Sequence, residues 1–159
     1  MDLFMSFEGR IARKGFWLGL LGIMAISLLA GGTVLSVLPD GIVRIFAQII
    51  LSAGVVYIWS AVVVKRLHDR GKPALPWAVI FIAPGILMQA ISIFQIGYSP
   101  VDFAGTQVLM PGLATTIAMW AATAVALWMV VELGFLKGTP GANAYGPNPL
   151  GKAAPAPAA

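Results

Sequence analysis

The sequence predicts an all-α fold, a polytopic membrane protein built as a bundle of four transmembrane helices, and three observations lead there. Apolar residues make up 59% of the 159 and charged residues only 10%, against about 25% charged in soluble domains. Such a chain lacks the charge to cover a water-facing surface, and its mean hydropathy is +0.90. Four stretches free of charge, each close to the ~20 residues that cross a ~30 Å hydrocarbon layer, divide the sequence. The cations fall almost wholly in alternate connections between them. A bilayer core offers the backbone no water to bond, which makes each stretch a helix.

The first span is expected at 17–38. Arg10, Arg13 and Lys14 before it suit a signal-peptide n-region, but the apolar run exceeds the ~7–15 residues of an h-region and no Ala-x-Ala site follows. It reads as a retained helix. Pro39-Asp40-Gly41 turns the chain into a second span at 45–64, and a cationic loop at 65–74 leads to a third at 75–97. Pro76 is expected in the first turn of that helix, where a missing N–H costs little, and Pro84 inside it predicts a kink. Residues 98–112, with Pro100, Gly105, Pro111 and Gly112, read as a loop on the outer side. The fourth span is expected at 113–131. Residues 1–150 form one domain, and the Ala/Pro-rich stretch 151–159 is expected to be disordered. Ahead of the first helix, Met1, Leu3, Phe4, Met5, Phe7 and Ile11 alternate with polar residues. That pattern suits a segment lying along the inner interface, or a partly ordered terminus.

Orientation follows from the cations. Arg10, Arg13, Lys14, Lys65, Arg66, Arg70, Lys72, Lys137 and Lys152 lie on one side of the four spans and Arg44 alone on the other. Under the positive-inside rule this puts both termini and the 65–74 loop in the cytoplasm. Trp17, Trp77, Trp59 and Trp128 fall toward the same interface. The absence of cysteine and the single histidine exclude disulfides, thiolate metal sites and His-rich metal sites. Cations confined to short segments between apolar runs also exclude the basic stripe of a nucleic-acid binder. No cofactor is expected.

Three polar segments share the cytoplasmic side: Phe7-Glu8-Gly9-Arg10-Ile11-Ala12-Arg13-Lys14-Gly15-Phe16-Trp17, Lys65-Arg66-Leu67-His68-Asp69-Arg70-Gly71-Lys72, and Gly138-Thr139-Pro140-Gly141-Ala142-Asn143-Ala144-Tyr145-Gly146-Pro147-Asn148-Pro149. Their Phe-x-Gly-Arg-x-x-Arg, Arg-Leu-His-Asp-x-Gly-Lys and Asn-x-Tyr-Gly-Pro-x-Pro patterns resemble the bacterial inner-membrane family catalogued as domain of unknown function 805. The resemblance covers about residues 4 to 150. The chain departs from it at Pro73-Ala74-Leu75-Pro76-Trp77, where the family often has Ser-Gly-Trp-Trp. What it implies is location and fold, with no activity to carry over.

Arg66 and Arg70 share a face if the second helix continues, Asp69 is placed to pair with an arginine of the N-terminal segment, and His68 titrates near neutrality. One reading is a pocket for a phosphate-bearing ligand or lipid headgroup lined by Arg10, Arg13, Arg66 and Arg70, since arginine forks hold phosphate bidentately. The other is that these cations set topology and meet anionic lipid generically. The pocket reading predicts that Arg10 or Arg13 approaches Asp69 or Glu132. It also predicts that the 138–149 segment folds back over the cluster through Asn143 and Tyr145; otherwise that segment is a linker.

Ala114, Ala118, Ala122 and Ala126, and the pair Gly15 and Gly19, form small-residue seams that let helices approach in lipid, within one bundle or between copies. No ionisable residue lies inside a span, Gln48, Gln89 and Gln95 being the most polar there, and no catalytic motif is present. The chain therefore reads as a non-enzymatic membrane protein whose arginine-rich face binds anionic lipid or a partner protein. It leaves room for a homo-oligomer. Two rivals are an oligomeric transporter or channel with a wet path along Gln48, Gln89 and Gln95, and an enzyme acting on phospholipid headgroups with His68 as base.

Overall fold

The structure is a computed structural model that describes residues 4–151. Met1, Leu3 and the expected disordered residues 152–159, Lys152 among them, lie outside the described residues. Four apolar helices follow one another: α1 (Arg13–Val37), α2 (Ile42–Asp69), α3 (Trp77–Ile93) and α4 (Leu113–Met129), the last continued by a π-helical segment (Val130–Phe135). Three are long and apolar enough to cross a membrane: α1, α2, and α4 with its π-helical continuation. α3, at 17 residues, reaches only about 26 Å at 1.5 Å per residue.

Local chemistry sets the ends. Pro39 disfavours helix at the residue before it, and Leu38 is extended (φ −92°, ψ 129°), which stops α1. Gly41 takes φ +142° to start α2. Arg44, one turn into α2, pairs with Asp40 and donates to Leu38 O, bracing the turn. At the far end of α2, Gly71 adopts φ +71°, its N–H reaches His68 O (3.0 Å) and the Lys72 N–H reaches Leu67 O (2.9 Å). Those paired bonds are the Schellman stop that only glycine makes without strain.

Several boundaries differ from the sequence expectation. The expected 65–74 loop is helical as far as Asp69, because the Schellman stop comes at Gly71 and not at the first charge. The third helix runs over 77–93 rather than 75–97. Pro76 precedes it, and Phe94 already leaves the helix, with Gln95 (φ 51°) and Gly97 (φ 73°) turning the chain. The expected loop at 98–112 is an antiparallel hairpin, β1 (Tyr98–Phe103) and β2 (Thr106–Pro111). Its two-residue turn has positive φ at both Ala104 and Gly105, the turn whose twist matches paired strands. Thr115 Oγ1 donates to Ile96 O (3.2 Å), and the Gly112 N–H to Gly97 O (2.8 Å), tying the hairpin's neck to α4. The fourth helix passes the expected end at 131 and continues to Phe135.

The core sits at one end. Besides Ile11, its members are Phe16 and Ile23 of α1, Val62, Val63, Val64 and Leu67 of α2, Ala78 and Phe81 of α3, and Met129 and Leu133 at the close of the fourth helix. Each comes from the half of its helix away from the hairpin. Trp17, Trp59, Trp77 and Trp128 gather there in edge-to-face and tilted contacts, with Phe81 to Trp128 at 5.1 Å. At that end α1 meets the π-helical segment. Toward the hairpin the helices part, leaving cavities of about 490 and 320 Å³. Of the Ala seam, Ala118 and Ala122 border α3 across a third cavity. Residues 4–12 run beside α1 and α2: Phe4 packs on the core and Phe7 meets Tyr57 edge-on at 5.4 Å.

Gly19 shows how tight the packed end is, since a Cβ there would stand 2.9 Å from Val62 Cγ1. Gly19→Leu is expected to lower stability in detergent by about 1–3 kcal/mol through overpacking. Gly32→Ala, with nothing within 4 Å of its Cβ position, is expected not to lower it. Thermal unfolding followed by tryptophan fluorescence checks both.

Candidate functional site

The packed end carries most of the ionisable side chains among the described residues, its central ones arranged in two layers. The inner layer centres on Asp69 in the last turn of α2. Arg10 donates Nε and Nη2 to Asp69 Oδ1 (3.1 and 3.0 Å), and Arg66 Nη1 donates to Oδ2. Arg66 is 0% exposed, Arg10 2% and Asp69 3%. Charges so placed persist only when paired and fully hydrogen-bonded. Pairing is complete here, because no buried side-chain nitrogen or oxygen among the described residues lacks a partner. The second layer repeats the stoichiometry: Glu132 Oε1 accepts from Arg70 Nη2 (3.0 Å) and from Lys72 Nζ (2.8 Å). Lys72 also stands 4.1 Å over the Trp77 ring. Each layer sets two cations on one carboxylate, so each keeps a net positive charge.

What the arginines do not give to carboxylates they give to helix ends. The last carbonyls of a helix have no intrahelical donor. At the close of the fourth helix Arg66 donates to Leu133 O and Leu136 O (both 2.6 Å), Trp17 Nε1 to Gly134 O (3.2 Å) and Arg13 Nη1 to Phe135 O (3.2 Å). Arg70 reaches Lys137 O. Positive charge at a helix C-terminus also offsets the dipole's negative end. Approach is close: a Cβ on Gly134 would lie 2.9 Å from Trp17 Cζ2.

The segment after the fourth helix does the same for α2. Thr139 donates its N–H and its hydroxyl to Asp69 O (2.8 and 3.1 Å), and Asn143 Nδ2 donates to His68 O (2.9 Å). Tyr145 stacks flat on His68, centroids 3.9 Å apart. His68 Nδ1 lies 3.2 Å from Gly9 O; a carbonyl only accepts, so Nδ1 carries the proton. Arg10 then ties Asp69 to this segment, donating to Thr139 O (2.8 Å), Gly141 O (2.8 Å) and Gly146 O (3.2 Å). Gly138 lies against Asp69 so closely that a Cβ would come 2.0 Å from Oδ2.

Arg10, Arg66, His68, Asp69, Arg70, Asn143 and Tyr145 thus come together, with residues 138–149 folded over them. Arg13 stands at the rim, exposed, and bonds a carbonyl rather than Asp69 or Glu132. It faces a cavity of about 240 Å³ whose lining includes Lys137, Arg66, Asp69 and Thr139. Gln48 and Gln89 share one cavity near the hairpin, and Gln95 sits apart on the exposed turn. No cluster of three or more metal-ligating side chains occurs among the described residues. Sequence reasoning placed Trp17 and Gly138 in the cytoplasmic segments but gave neither a part in the cluster. Trp17, four residues after Arg13, carried a signal, since that spacing puts both on one face of α1. Gly138 carried none, because its need for a missing side chain exists only once Asp69 is beside it.

The family model described as "Protein of unknown function (DUF805)" matches residues 4–147. The chain is 30% identical over 148 residues to "Uncharacterized protein YiiR" of Escherichia coli K12, covering 89% of this chain and 84% of that one. The same figures hold for its counterpart in Escherichia coli O157:H7. No solved structure matches the chain.

Asp69→Ala is expected to destabilise the protein by about 3–5 kcal/mol, since it leaves two buried guanidinium groups without a counter-charge. Gly138→Ala is expected to pull residues 138–149 off the cluster. Limited proteolysis reads both, as new cleavage within 138–149 that wild type resists.

Proposed function

This chain belongs to the DUF805 family of proteins of unknown function, and on that premise we propose a non-enzymatic, multi-pass protein of the bacterial inner membrane that binds anionic phospholipid headgroups at its cationic end. Connectivity supports four spans. α3 leaves the packed end and delivers the chain to the hairpin at the other, so a chain that crosses through α2 and α4 also crosses through α3. Eight of the nine lysines and arginines among the described residues lie on the packed end's side of the spans, a bias that supports a cytoplasmic location for both termini. Residues 1–150 act as one domain.

The observation that carries the reading is the 240 Å³ cavity where Arg13 and Lys137 stand exposed beside the Arg66–Asp69 pair. Arg10 and Arg66 spend their donors inside the protein, and Asp69 between them leaves a surplus of one positive charge. Arg13 and Lys137, which line the cavity, add two more. A phosphate held there meets a planar fork and a point charge. His68, Asn143 and Tyr145 support the wall by anchoring residues 138–149, and Arg70, Lys72 and Lys14 extend the cationic face.

Native mass spectrometry of the gently solubilised protein tests this. Wild type is expected to retain one phosphatidylglycerol-class lipid, and Arg13→Ala/Lys137→Ala to lose it while unfolding at the same temperature. The same lipids in the same amounts on both would end the headgroup reading and direct the search to acidic partner proteins.

A further inference from the structure

A groove crosses the hairpin half of α2, on residues the charged cluster does not use. Gln48, Ser52 and Val56 form its floor, Ser27 and Gly31 of α1 one wall, and Gly85 and Gln89 of α3 the other. Spacings of four put one face of each helix at the groove, which encloses about 320 Å³. Counted from the hairpin-side helix ends, Gly31, Gln48 and Gln89 all lie roughly 6–9 Å in.

Two features of this groove have no account within one chain. The side chains of Gln48, Gln89, Ser27 and Ser52 make no hydrogen bond among the described residues. Ser60 and Thr123, by contrast, bond back to Val56 O (2.7 Å) and Met119 O (2.8 Å). Gly31 and Gly85 have nothing within 4 Å of where a Cβ would project, whereas Gly19 is explained by Val62. Glycine is a poor helix former, and an unpaired polar group at membrane depth is costly.

We propose that this groove is the interface between two copies of the chain, related by a twofold axis along the membrane normal. A carboxamide both donates and accepts, so Gln48 and Gln89 are complementary to the same residues of a partner copy. Copies inserted in one orientation bring residues of equal depth together about such an axis, and the glutamines meet that condition. Gly31, Gly85 and the two serines let the backbones approach, as small and polar residues do between helices in lipid. No ionisable residue lines the groove, so closing it strands no charge. Ala118 and Ala122 do not line the groove, although Ala122 borders the neighbouring 490 Å³ cavity with Val56 and Gly85. The inference rests on the helices spanning a membrane and is independent of the headgroup site.

The chain has no cysteine, so single cysteines report without background. Gly31→Cys and Gln48→Cys, treated with an oxidant or a bismaleimide in native membranes, are expected to give a covalent dimer of twice the 16.7 kDa chain. Trp120→Cys, exposed on α4, is expected to give none. Gln48→Leu/Gln89→Leu, folded by thermal unfolding, is expected to raise the dimer dissociation constant roughly three- to tenfold per glutamine in detergent. Cross-linking only from Ala118→Cys or Trp120→Cys would move the interface to α4 and overturn the proposal. A monomer at every position would overturn it as well. If that monomer retains an uncharged solute that the double variant loses, the groove is a solute site.

Discussion

The carboxylate of Asp69 holds an arginine on each of its oxygens, and the rest of the packed end depends on that arrangement. Arg10 comes from the segment before α1, and Arg66 from one turn earlier in α2. Both then reach onward to backbone carbonyls at and beyond the end of the fourth helix. One acid therefore sets the positions of three separated parts of the chain. A buried ionic cluster is a weak source of net stability, because desolvation offsets most of the attraction. Its effect lies in direction. Lipid tails are as apolar as leucine, so the hydrophobic effect does not choose how helices meet in a membrane, and directed hydrogen bonds do.

Capping is reciprocal across this cluster. α1 and α2 supply the donors that close the fourth helix, and the segment following that helix supplies the donors that close α2. A helix end in a low-dielectric layer cannot leave its carbonyls bare, so each helix is completed by another. The core follows the caps: Phe16, Val62, Val63, Leu67 and Leu133 are all fully buried, and all lie within two or three turns of them. Away from the caps nothing draws the helices together, and the hairpin half is cavitied. One end is thus a charged platform dense in hydrogen bonds, and the other an open apolar framework with a polar groove.

Much of the fold was legible in the residues. Uncharged run lengths marked the four helices, and Pro39 and Gly41 the first turn, whereas the end of α2 was placed at the first charge and not at the Gly71 stop. The hairpin was not, because Ala104-Gly105 is a far weaker turn signal than Asn-Gly and Pro100 argues against a strand. The short third helix was hidden for a related reason: Phe94, Gln95 and Ile96 continue the apolar run, and hydropathy does not register the positive φ at Gln95. At the cluster, residue type was informative and partnership was not. Asp69 and Arg10 were natural partners by charge, yet nothing local distinguished Arg66, which is fully buried, from Arg13, which is exposed.

The sequence by itself determined the helical class, the number of helices and the concentration of cations toward one side. These depend on the length of uncharged runs and on where charges interrupt them, and both are properties of contiguous residues. Tertiary structure alone decided which carbonyl each arginine meets, that residues 138–149 fold onto α2, and that Gly138 must lack a side chain. Arg10 and Asp69 are 59 positions apart and Arg66 and Leu133 are 67. Contacts at that separation are set by where helices end and how their ends are brought together, which no local pattern encodes.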